Sequence, residues 1–425
     1  MEYRKIEKEA YNLHIIKTDK FKKSIIKINF KNNVIKEDIV KRKILPNILV
    51  ESNSIYNGKR MVSIKTEELY NADIYSSLLY SGNTYITTIQ ATILDEKYAE
   101  GLLEETVHFL SDIIFKPTVI NNHFDKKAFK QACEYAKEEI DIEKENPSSY
   151  AMDEVLKIIA PKTPLAYPPS GTKKEIDNLL NEDVYKYYLD MLDNDIIDIF
   201  VIGNVSNDTE LIIDKYFNIL KPRKDKIDHY IEYNNFNDKY LEVKKTKPYN
   251  QSKLIIGFKL DKLTNFEKNY VMPIYSYILG GGPDSKLFKN VREKNSLCYS
   301  ISSSFKLITN LMFITSGINA ASYKKALKII KEEVNNMAKG NFDNSDIEKA
   351  KITYLSAYEE VGDSIFSILN DYVGREYLNT DLVDIRKKKI MEVTKKDIMN
   401  VIPKIHPEIV YLLEGSKEDG SKKTK

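Results

Sequence analysis

The sequence predicts an α+β fold in which one α/β sandwich domain occurs twice. The first observation is the length, because 425 residues exceed what a single ordinary core accommodates. The second is the order of elements, since alternating strand patterns are followed by amphipathic helical patterns in each half. The third is recurrence, in which four elements return in the same order roughly 200 residues later. A duplicated domain explains this recurrence better than chance.

The first predicted domain covers residues 1–220. Residues 12–18 and 24–30 alternate polar and apolar side chains, which predicts a pair of strands. A second hairpin is predicted between residues 72–80 and 84–94, around a glycine-containing turn. The remaining apolar patterns have helical spacing or form one continuous apolar strand. They predict helices over 38–51, 64–70, 98–115, 124–145, 150–159 and 208–220, two short helices within 173–191, and a strand over 196–205.

A linker is predicted over residues 221–245, where Lys, Asp and Asn dominate and periodicity is weak. The second predicted domain covers residues 246–415, and a charged tail over 416–425 is expected to be disordered. Within the second domain the order of the first domain returns. The predicted strands are 253–260, 297–307, 311–318 and 409–415, and the predicted helices are 265–279, 323–337, a long one from 342, and 394–402.

The composition excludes several classes of function. Hydrophobic residues make up 42% of the chain and charged residues 30%, which is typical of a folded, water-soluble protein. The net charge of +2 gives no reason to expect nucleic acid or an anionic membrane as a partner. Two cysteines, Cys133 and Cys298, cannot build a disulfide framework. We find neither a signal peptide nor a membrane-spanning apolar run, so we expect a cytoplasmic location.

Residues 279–300 form the most informative stretch of the sequence. Gly280, Gly281 and Gly282 end an apolar helical run and permit either a sharp turn or a close approach to another backbone. A short amphipathic helix follows, and then a strand pattern. Arg292 lies on this helix and Tyr299 on the strand, so a guanidinium and a phenol could reach one point in a cleft. A surface arginine and a half-buried tyrosine explain the spacing more simply.

The same stretch resembles the C-terminal domain signature of the insulinase/pitrilysin family of zinc peptidases, in its processing-peptidase branch. That signature is a glycine-bearing turn followed by Ser-x-Leu-Phe-x-x-Val-Arg-Glu-Lys-x-x-Leu-x-Tyr-Ser. The matching residues here are Ser285, Leu287, Phe288, Val291, Arg292, Glu293, Lys294, Leu297, Tyr299 and Ser300.

The resemblance extends over residues 12–415 and implies two insulinase-like half-domains that form a clamp. It also implies that Arg292 and Tyr299 hold the substrate backbone or the reacting carbonyl oxygen, next to a zinc site in another domain. The adjacent glycines, Gly280 to Gly282, are implied to contribute to substrate binding.

The zinc ligands of the active family members are missing here. Those members use His-x-x-Glu-His on a first helix, with two histidine ligands one turn apart and a glutamate that activates water. A glutamate on a later helix is their third ligand. No two of the five histidines here lie within one helical turn, and the corresponding helix, residues 42–51, contains none. Glu139 resembles the third ligand, but we interpret it as a solvated or ion-paired residue. We therefore expect no metal and no cofactor in this chain.

The resemblance implies a non-catalytic subunit of a two-subunit zinc metallopeptidase whose HxxEH-containing partner carries the metal. Arg292 and Tyr299 would contribute to peptide binding and transition-state stabilisation beside that metal. The resemblance is closest to a small bacterial branch of inactive homologues, which implies a heterodimer and a role in peptide maturation or in modification of a translation factor.

Two other functions stay open. One is a scaffold that binds a peptide or an unfolded polypeptide and has no role in proteolysis. The other is an active enzyme with unrelated ligands. No histidine lies near Cys298, and the three glycines lack the Lys-Ser/Thr of a phosphate-binding loop, so neither feature supports a different chemistry.

Overall fold

A computed structural model describes residues 1–51, 53–221, 227 and 229–416. In these ranges the strands are β1 (Glu2–Glu7), β2 (Asn12–Lys17), β3 (Lys23–Asn33), β4 (Asp73–Ser81), β5 (Thr84–Leu94), β6 (Val119–Ile120), β7 (His123–Phe124), β8 (Ile196–Gly203), β9 (Leu241–Lys247), β10 (Ser252–Leu260), β11 (Cys298–Lys306), β12 (Leu311–Ile318) and β13 (Ile405–Gly415).

The α-helices of the same ranges are α1 (Ile39–Glu51), α2 (Lys59–Glu68), α3 (Leu102–Phe115), α4 (Lys126–Glu145), α5 (Pro147–Ile159), α6 (Lys173–Asp177), α7 (Asn181–Asn194), α8 (Thr209–Phe217), α9 (Met272–Gly280), α10 (Tyr323–Ala338), α11 (Asn344–Glu360), α12 (Ile365–Leu378), α13 (Val383–Glu392) and α14 (Lys395–Val401). Two π-helical segments, Glu267–Val271 and Phe288–Glu293, adjoin or follow α9. None of the described helices is long and apolar enough to cross a membrane.

The described residues divide into two compact units, and neither unit is one continuous segment. The first unit contains residues of 1–142, 167–229 and 362–373. The second contains residues of 143–166, 230–361 and the chain from 374 onward. Each unit therefore includes a helix from the other half of the chain: α5 in the second unit, and the start of α12 in the first.

The predicted domain boundaries, 1–220 and 246–415, assumed continuous segments and did not anticipate this exchange of helices. The predicted linker, 221–245, lies partly outside the described residues, and its last residues belong to strand β9. The predicted disordered tail, 416–425, lies outside the described residues except for Ser416.

The sheet of the first unit has the strand order β1-β2-β8-β3-β5-β4. Strands β2 and β8 are parallel, and every other neighbouring pair is antiparallel. The prediction that β2 and β3 pair with each other is wrong, because β8 lies between them. A parallel pair needs a long crossover, here most of the first unit, and local sequence patterns do not reveal such a partner.

The sheet of the second unit repeats this arrangement. Its order β9-β13-β10-β12-β11 matches β2-β8-β3-β5-β4 strand for strand, and again only the first pair is parallel. This correspondence confirms the predicted α+β fold with two homologous halves. Sequence patterns did not predict β1 and β9, since these edge strands are mostly exposed and carry little apolar alternation.

Each sheet buries one face against several helices. In the first unit, Ile28 and Val201 on the sheet pack in one core with Leu45 of α1 and Leu110 of α3. In the second unit, Ile256, Ile314 and Val410 share a core with residues of α9, α10 and α11. The opposite face of each sheet is covered in part by a helix from the other half of the chain, α12 on the first sheet and α5 on the second.

The exchanged helices bury small apolar clusters. In the second unit, Val155 and Ile159 of α5 pack against Ile255 and Tyr411 of the sheet. In the first unit, Ile368 and Leu369 of α12 share a cluster with Ile25, Phe200 and other residues of the sheet. Burial of each such aliphatic side chain contributes roughly 1.5–3 kcal/mol, so both helices are integral to the unit in which they lie.

Candidate functional site

The predicted site stretch forms a helix, a turn and the start of strand β11. The end of its short helix, Phe288–Glu293, is π-helical, and the Lys294 N–H donates to the Lys289 carbonyl oxygen at 2.9 Å. Ser296 then takes a left-handed conformation with φ of +51°, and β11 begins at Cys298. Single π-helical turns recur at functional sites because the wider turn reorients neighbouring side chains.

The three glycines serve close packing instead of left-handed turning. None of them has a positive φ, and Gly281 has φ of −86°. A Cβ atom at Gly280 would lie 2.6 Å from the backbone nitrogen of Ser303, so helix α9 approaches β11 more closely than any side chain permits. The predicted close backbone approach is therefore found at Gly280. The role of Gly280, Gly281 and Gly282 in substrate binding stays a prediction.

Arg292 is exposed, and among the described residues its guanidinium has no ion-pair partner. Its guanidinium carbon lies 4.7 Å from the ring centroid of Phe288, a cation–π contact that restrains the side chain. The lysines of the same turn differ: Lys286 pairs with Asp346 at 2.9 Å, and Lys289 pairs with Asp284 at 2.9 Å. Arg292 has no carboxylate partner in the described part of the chain. Its donors are thus available to a ligand.

Tyr299 stands on a β-bulge at the start of β11. Cys298 pairs with Ile318 and Ser300 with Gly317, so Tyr299 is the extra residue between two successive pairs. Bulges re-aim a side chain, and Tyr299 is 67% exposed. The Ser316 hydroxyl donates to the Ser300 carbonyl oxygen at 2.8 Å and fixes the bulge from the neighbouring strand.

A polar cavity of about 340 Å³ lies beside Tyr299 in the second unit. Its lining includes the polar residues Asn250, Gln251, Ser252 and Asn319, and none of its lining side chains is charged. The Tyr299 hydroxyl has no hydrogen-bond partner within the described ranges. Sequence analysis missed these four lining residues, because they come from two separate segments and form no motif.

The structure brings Arg292 and Tyr299 to the same end of the second sheet. The Ser296 N–H donates to the Arg292 carbonyl oxygen at 2.9 Å, which ties the π-helical turn to the start of β11. Cys298 lies between them, and burial raises the pKa of its thiol, against a smaller lowering from Ser316 and Arg292. A thiol with a raised pKa is a poor nucleophile, so Cys298 gives no sign of catalysis. Joint action of Arg292 and Tyr299 on one substrate stays a prediction.

Helix α1, which the sequence resemblance matches to the zinc-binding helix of active family members, carries a buried arginine. Arg42 is fully buried and forms an ion pair with Asp195. Its other donors reach the Thr87 hydroxyl at 2.9 Å, the Tyr187 hydroxyl at 2.8 Å and the Phe30 carbonyl oxygen at 2.7 Å. Burial by itself would lower the pKa of Arg42, but the charges and hydrogen bonds of Asp195 and Tyr187 together outweigh burial and raise the pKa, so the guanidinium stays charged. Arg42 is therefore structural.

Glu139, the candidate third ligand, forms an ion pair with a lysine of α1. The Lys43 ammonium lies 2.7 Å from its carboxylate. This outcome agrees with the interpretation of Glu139 as an ion-paired residue. A helix α1 without histidine and a Glu139 already paired with Lys43 do not fit the zinc site of the active family members.

Comparisons with known proteins agree with the sequence and the fold. Residues 178–354 match the family described as Peptidase M16 inactive domain. The chain is 27% identical over 413 residues to a probable inactive metalloprotease, YmfF, of Bacillus subtilis, and the match covers 95% of this chain and 96% of the relative.

Solved structures extend the comparison. A conserved protein from Enterococcus faecalis has a TM-score of 0.90 and 25% identity, and the match covers 98% of this chain and 99% of that one. A peptidase M16 inactive domain from Pseudomonas fluorescens has a TM-score of 0.80 over 99% of this chain and 100% of that one; at 16% identity, it shows the fold alone. Together these comparisons support an inactive member of the M16, or insulinase-like, peptidase family, and the sequence lacks the HxxEH zinc ligands.

Proposed function

We propose that this chain is the non-catalytic subunit of a two-subunit insulinase-like zinc metallopeptidase in the cytoplasm. The single observation that carries the proposal is the division of features within the chain. Helix α1 contains no histidine, and its Lys43 pairs with Glu139. By contrast, Arg292 and Tyr299 have hydrogen-bond donors that no described residue engages. If two subunits share one active site, one subunit can lose the metal ligands and keep the hydrogen-bond donors.

The proposed chemistry of this chain is electrostatic. The partner subunit would supply the metal and the general base. The Arg292 guanidinium and the Tyr299 hydroxyl would donate hydrogen bonds to the peptide backbone, or to the oxygen that becomes negative as the carbonyl carbon is attacked. Donors aimed at such an oxygen lower the barrier because the charge develops only in the transition state. The cation–π contact with Phe288 and the β-bulge restrict both side chains in advance.

A second candidate is a scaffold that binds a peptide without cutting it. The polar cavity beside Tyr299 favours this candidate, because it could hold a peptide group without any metal nearby. The two functions differ in whether a partner's activity depends on this chain.

The test is reconstitution with an HxxEH-containing insulinase-like subunit from the same organism. Peptidase activity would be measured for this chain, for the partner and for their stoichiometric mixture, with complex formation followed by size-exclusion chromatography. We expect activity in the mixture and none from this chain alone. Full activity of the partner alone, unchanged by this chain in a formed complex, would favour the scaffold.

A further inference from the structure

The cavity beside Tyr299 presents hydrogen-bond donors whose matching acceptors are already used. The side-chain oxygen of Gln251 accepts from the Lys253 ammonium at 2.6 Å, which leaves the Gln251 amide N–H groups free. The Ser252 hydroxyl oxygen accepts from the Gly415 N–H at 3.1 Å, which leaves its own O–H to donate. Both residues line the cavity.

Two further lining residues follow the same pattern. The side-chain oxygen of Asn319 accepts from the Ala321 N–H at 3.1 Å, so its N–H groups are left over. The Tyr299 hydroxyl adds a fourth donor. A cavity with four side-chain donors suits a ligand rich in acceptors, because a donor facing another donor would be left without a partner.

Lys253 does not line this cavity, but its ammonium bonds Gln251, which does, and so brings a positive charge next to the cavity. Its ammonium bonds the neutral Gln251, and it has no carboxylate partner among the residues that the structure describes. Lys253 is half-buried and lines a second cavity of about 150 Å³ with Ser300 and Ser302. Burial lowers its pKa. A half-buried ammonium without a counter-ion is costly, and an anionic ligand would relieve that cost.

The start of helix α10 adds to the positive potential. Asn319 caps the short helical turn Ala320–Ser322 that leads into α10, and the first turn of α10 contains no acidic residue. The first turn of α10 contains Lys324 and Lys325. The positive end of the helix dipole lies at this turn and disfavours cations. The acidic neighbour of Gly415 in the chain, Glu414, is engaged by Lys244 at 2.8 Å.

We propose that the cavity beside Tyr299 binds a carboxylate of the peptide that this chain engages. The proposal deepens the proposed function and rests on it for the peptide nature of the ligand. A carboxylate accepts up to four hydrogen bonds, and its negative charge would be a counter-ion for the Lys253 ammonium. An acidic side chain and a free C-terminus share this chemistry, and peptide design separates them.

The experiment measures peptide binding to the isolated full chain, without the partner subunit. Three fluorescein-labelled decapeptides share an alternating Ala-Ser core. The first has a free C-terminus and no acidic side chain, the second has an amidated C-terminus and one central Glu, and the third is amidated with a central Gln. At about 50 mM salt, where screening is weak, we expect the first or the second to bind about 10-fold or more tightly than the third. The one that binds tighter identifies the source of the carboxylate.

Lys253→Met tests the assignment of the site. It keeps the volume of the side chain and removes the charge, and we expect it to reduce the preference for a carboxylate to less than about threefold. Lys306→Met is the matched control, because Lys306 is an exposed lysine at the far end of the same strand that carries Tyr299. It should leave the preference unchanged. A thermal melt of each variant verifies that it is folded.

Three results would overturn the proposal: equal affinity for all three peptides, no binding of any of them below about 1 mM, or an undiminished preference in folded Lys253→Met. None of these affects the reconstitution test of the proposed function. A mixture that cleaves peptides while the carboxylate preference is absent would reject the carboxylate site and leave the shared active site standing.

Discussion

The ammonium nitrogen of Lys43 lies 2.7 Å from a carboxylate oxygen of Glu139. Lys43 is on α1 and Glu139 is on α4, the two helices that correspond to the metal-binding helices of active family members. A positive charge on the candidate third ligand opposes the binding of a cation there, and no histidine of α1 is present to compensate. This pair gives a physical reason to expect no zinc centre of the family type at Glu139.

The first prediction concerns zinc. After exposure to zinc and exhaustive dialysis, we expect elemental analysis to find far less than one zinc per chain in the wild type, while the HxxEH-containing partner retains about one. Glu139→Ala should change neither this value nor, beyond about 1 kcal/mol, the free energy of unfolding, because the Glu139 side chain is half exposed. Stoichiometric zinc that disappears in Glu139→Ala would show that Glu139 is a ligand.

The second prediction concerns Arg42. Arg42→Met leaves Asp195 as a buried carboxylate without its cation, and we expect it to lower the free energy of unfolding by about 3–5 kcal/mol. Urea denaturation gives this value. Arg60→Met is the control, since Arg60 is an exposed arginine of α2, and it should change stability by less than about 0.5 kcal/mol. The double variant Arg42→Met with Asp195→Leu should recover part of the loss. Equal stability of the wild type and Arg42→Met would contradict the structural role.

The third prediction concerns acid stability. Asp198 is fully buried, which alone would raise its pKa, but bonds from His14, Lys31 and Asn12 outweigh burial and lower it. The Lys31 ammonium lies 2.7 Å from its carboxylate. Because the pKa of Asp198 is lower in the folded state than the unfolded value of about 4, its contribution is present above pH 4 and is lost as the pH falls further.

Asp198→Asn tests this sign. At pH 7 it should destabilise the fold by about 3–5 kcal/mol, because it breaks the buried ion pair between Lys31 and Asp198. The difference in the free energy of unfolding between the wild type and the variant should become smaller when urea denaturation is repeated below pH 4. Asp208→Asn, at an exposed aspartate, should follow the wild type throughout. If this difference in the free energy of unfolding stays constant from pH 7 to pH 3, the pKa of Asp198 is not lowered in the folded state.

The fourth prediction concerns Gly280. A Cβ there would lie 2.6 Å from a backbone nitrogen, so Gly280→Ala must shift α9 or β11, and we expect a loss of about 1–3 kcal/mol of stability. Gly374→Ala is the control, because nothing lies within 4 Å of a Cβ in its place in α12. It should be neutral or stabilising by about 0.5–1 kcal/mol. If Gly280→Ala folds with full stability, close packing does not explain this glycine.

Local patterns predicted much of the fold. The β4–β5 hairpin and the long helices α3, α4 and α10 follow directly from apolar periodicity, and the recurrence of elements predicted the duplicated α+β architecture. Pairing between distant segments could not be predicted in this way. The insertion of β8 between β2 and β3 and the exchange of α5 depend on tertiary packing, which residue spacing does not encode.

The candidate site shows the same limit. The motif singled out Arg292 and Tyr299, but the bulge that turns Tyr299 outward arises from the register between β11 and β12. The donors of Gln251, Ser252 and Asn319 become a site only because two distant segments meet at one end of the sheet. Which of their atoms are already bonded is decided by geometry, so no sequence pattern could have revealed it.

The most direct test of the central claim is the turnover of the reconstituted two-subunit complex with Arg292→Ala or Tyr299→Phe in this chain. Lys306→Met serves as the control, and size-exclusion chromatography verifies that each complex assembles. Loss of one donor to a developing oxyanion should lower kcat by about 100-fold or more, while the control keeps the wild-type rate. Wild-type rates in both variants, with the complex intact, would contradict a role for this chain in the active site.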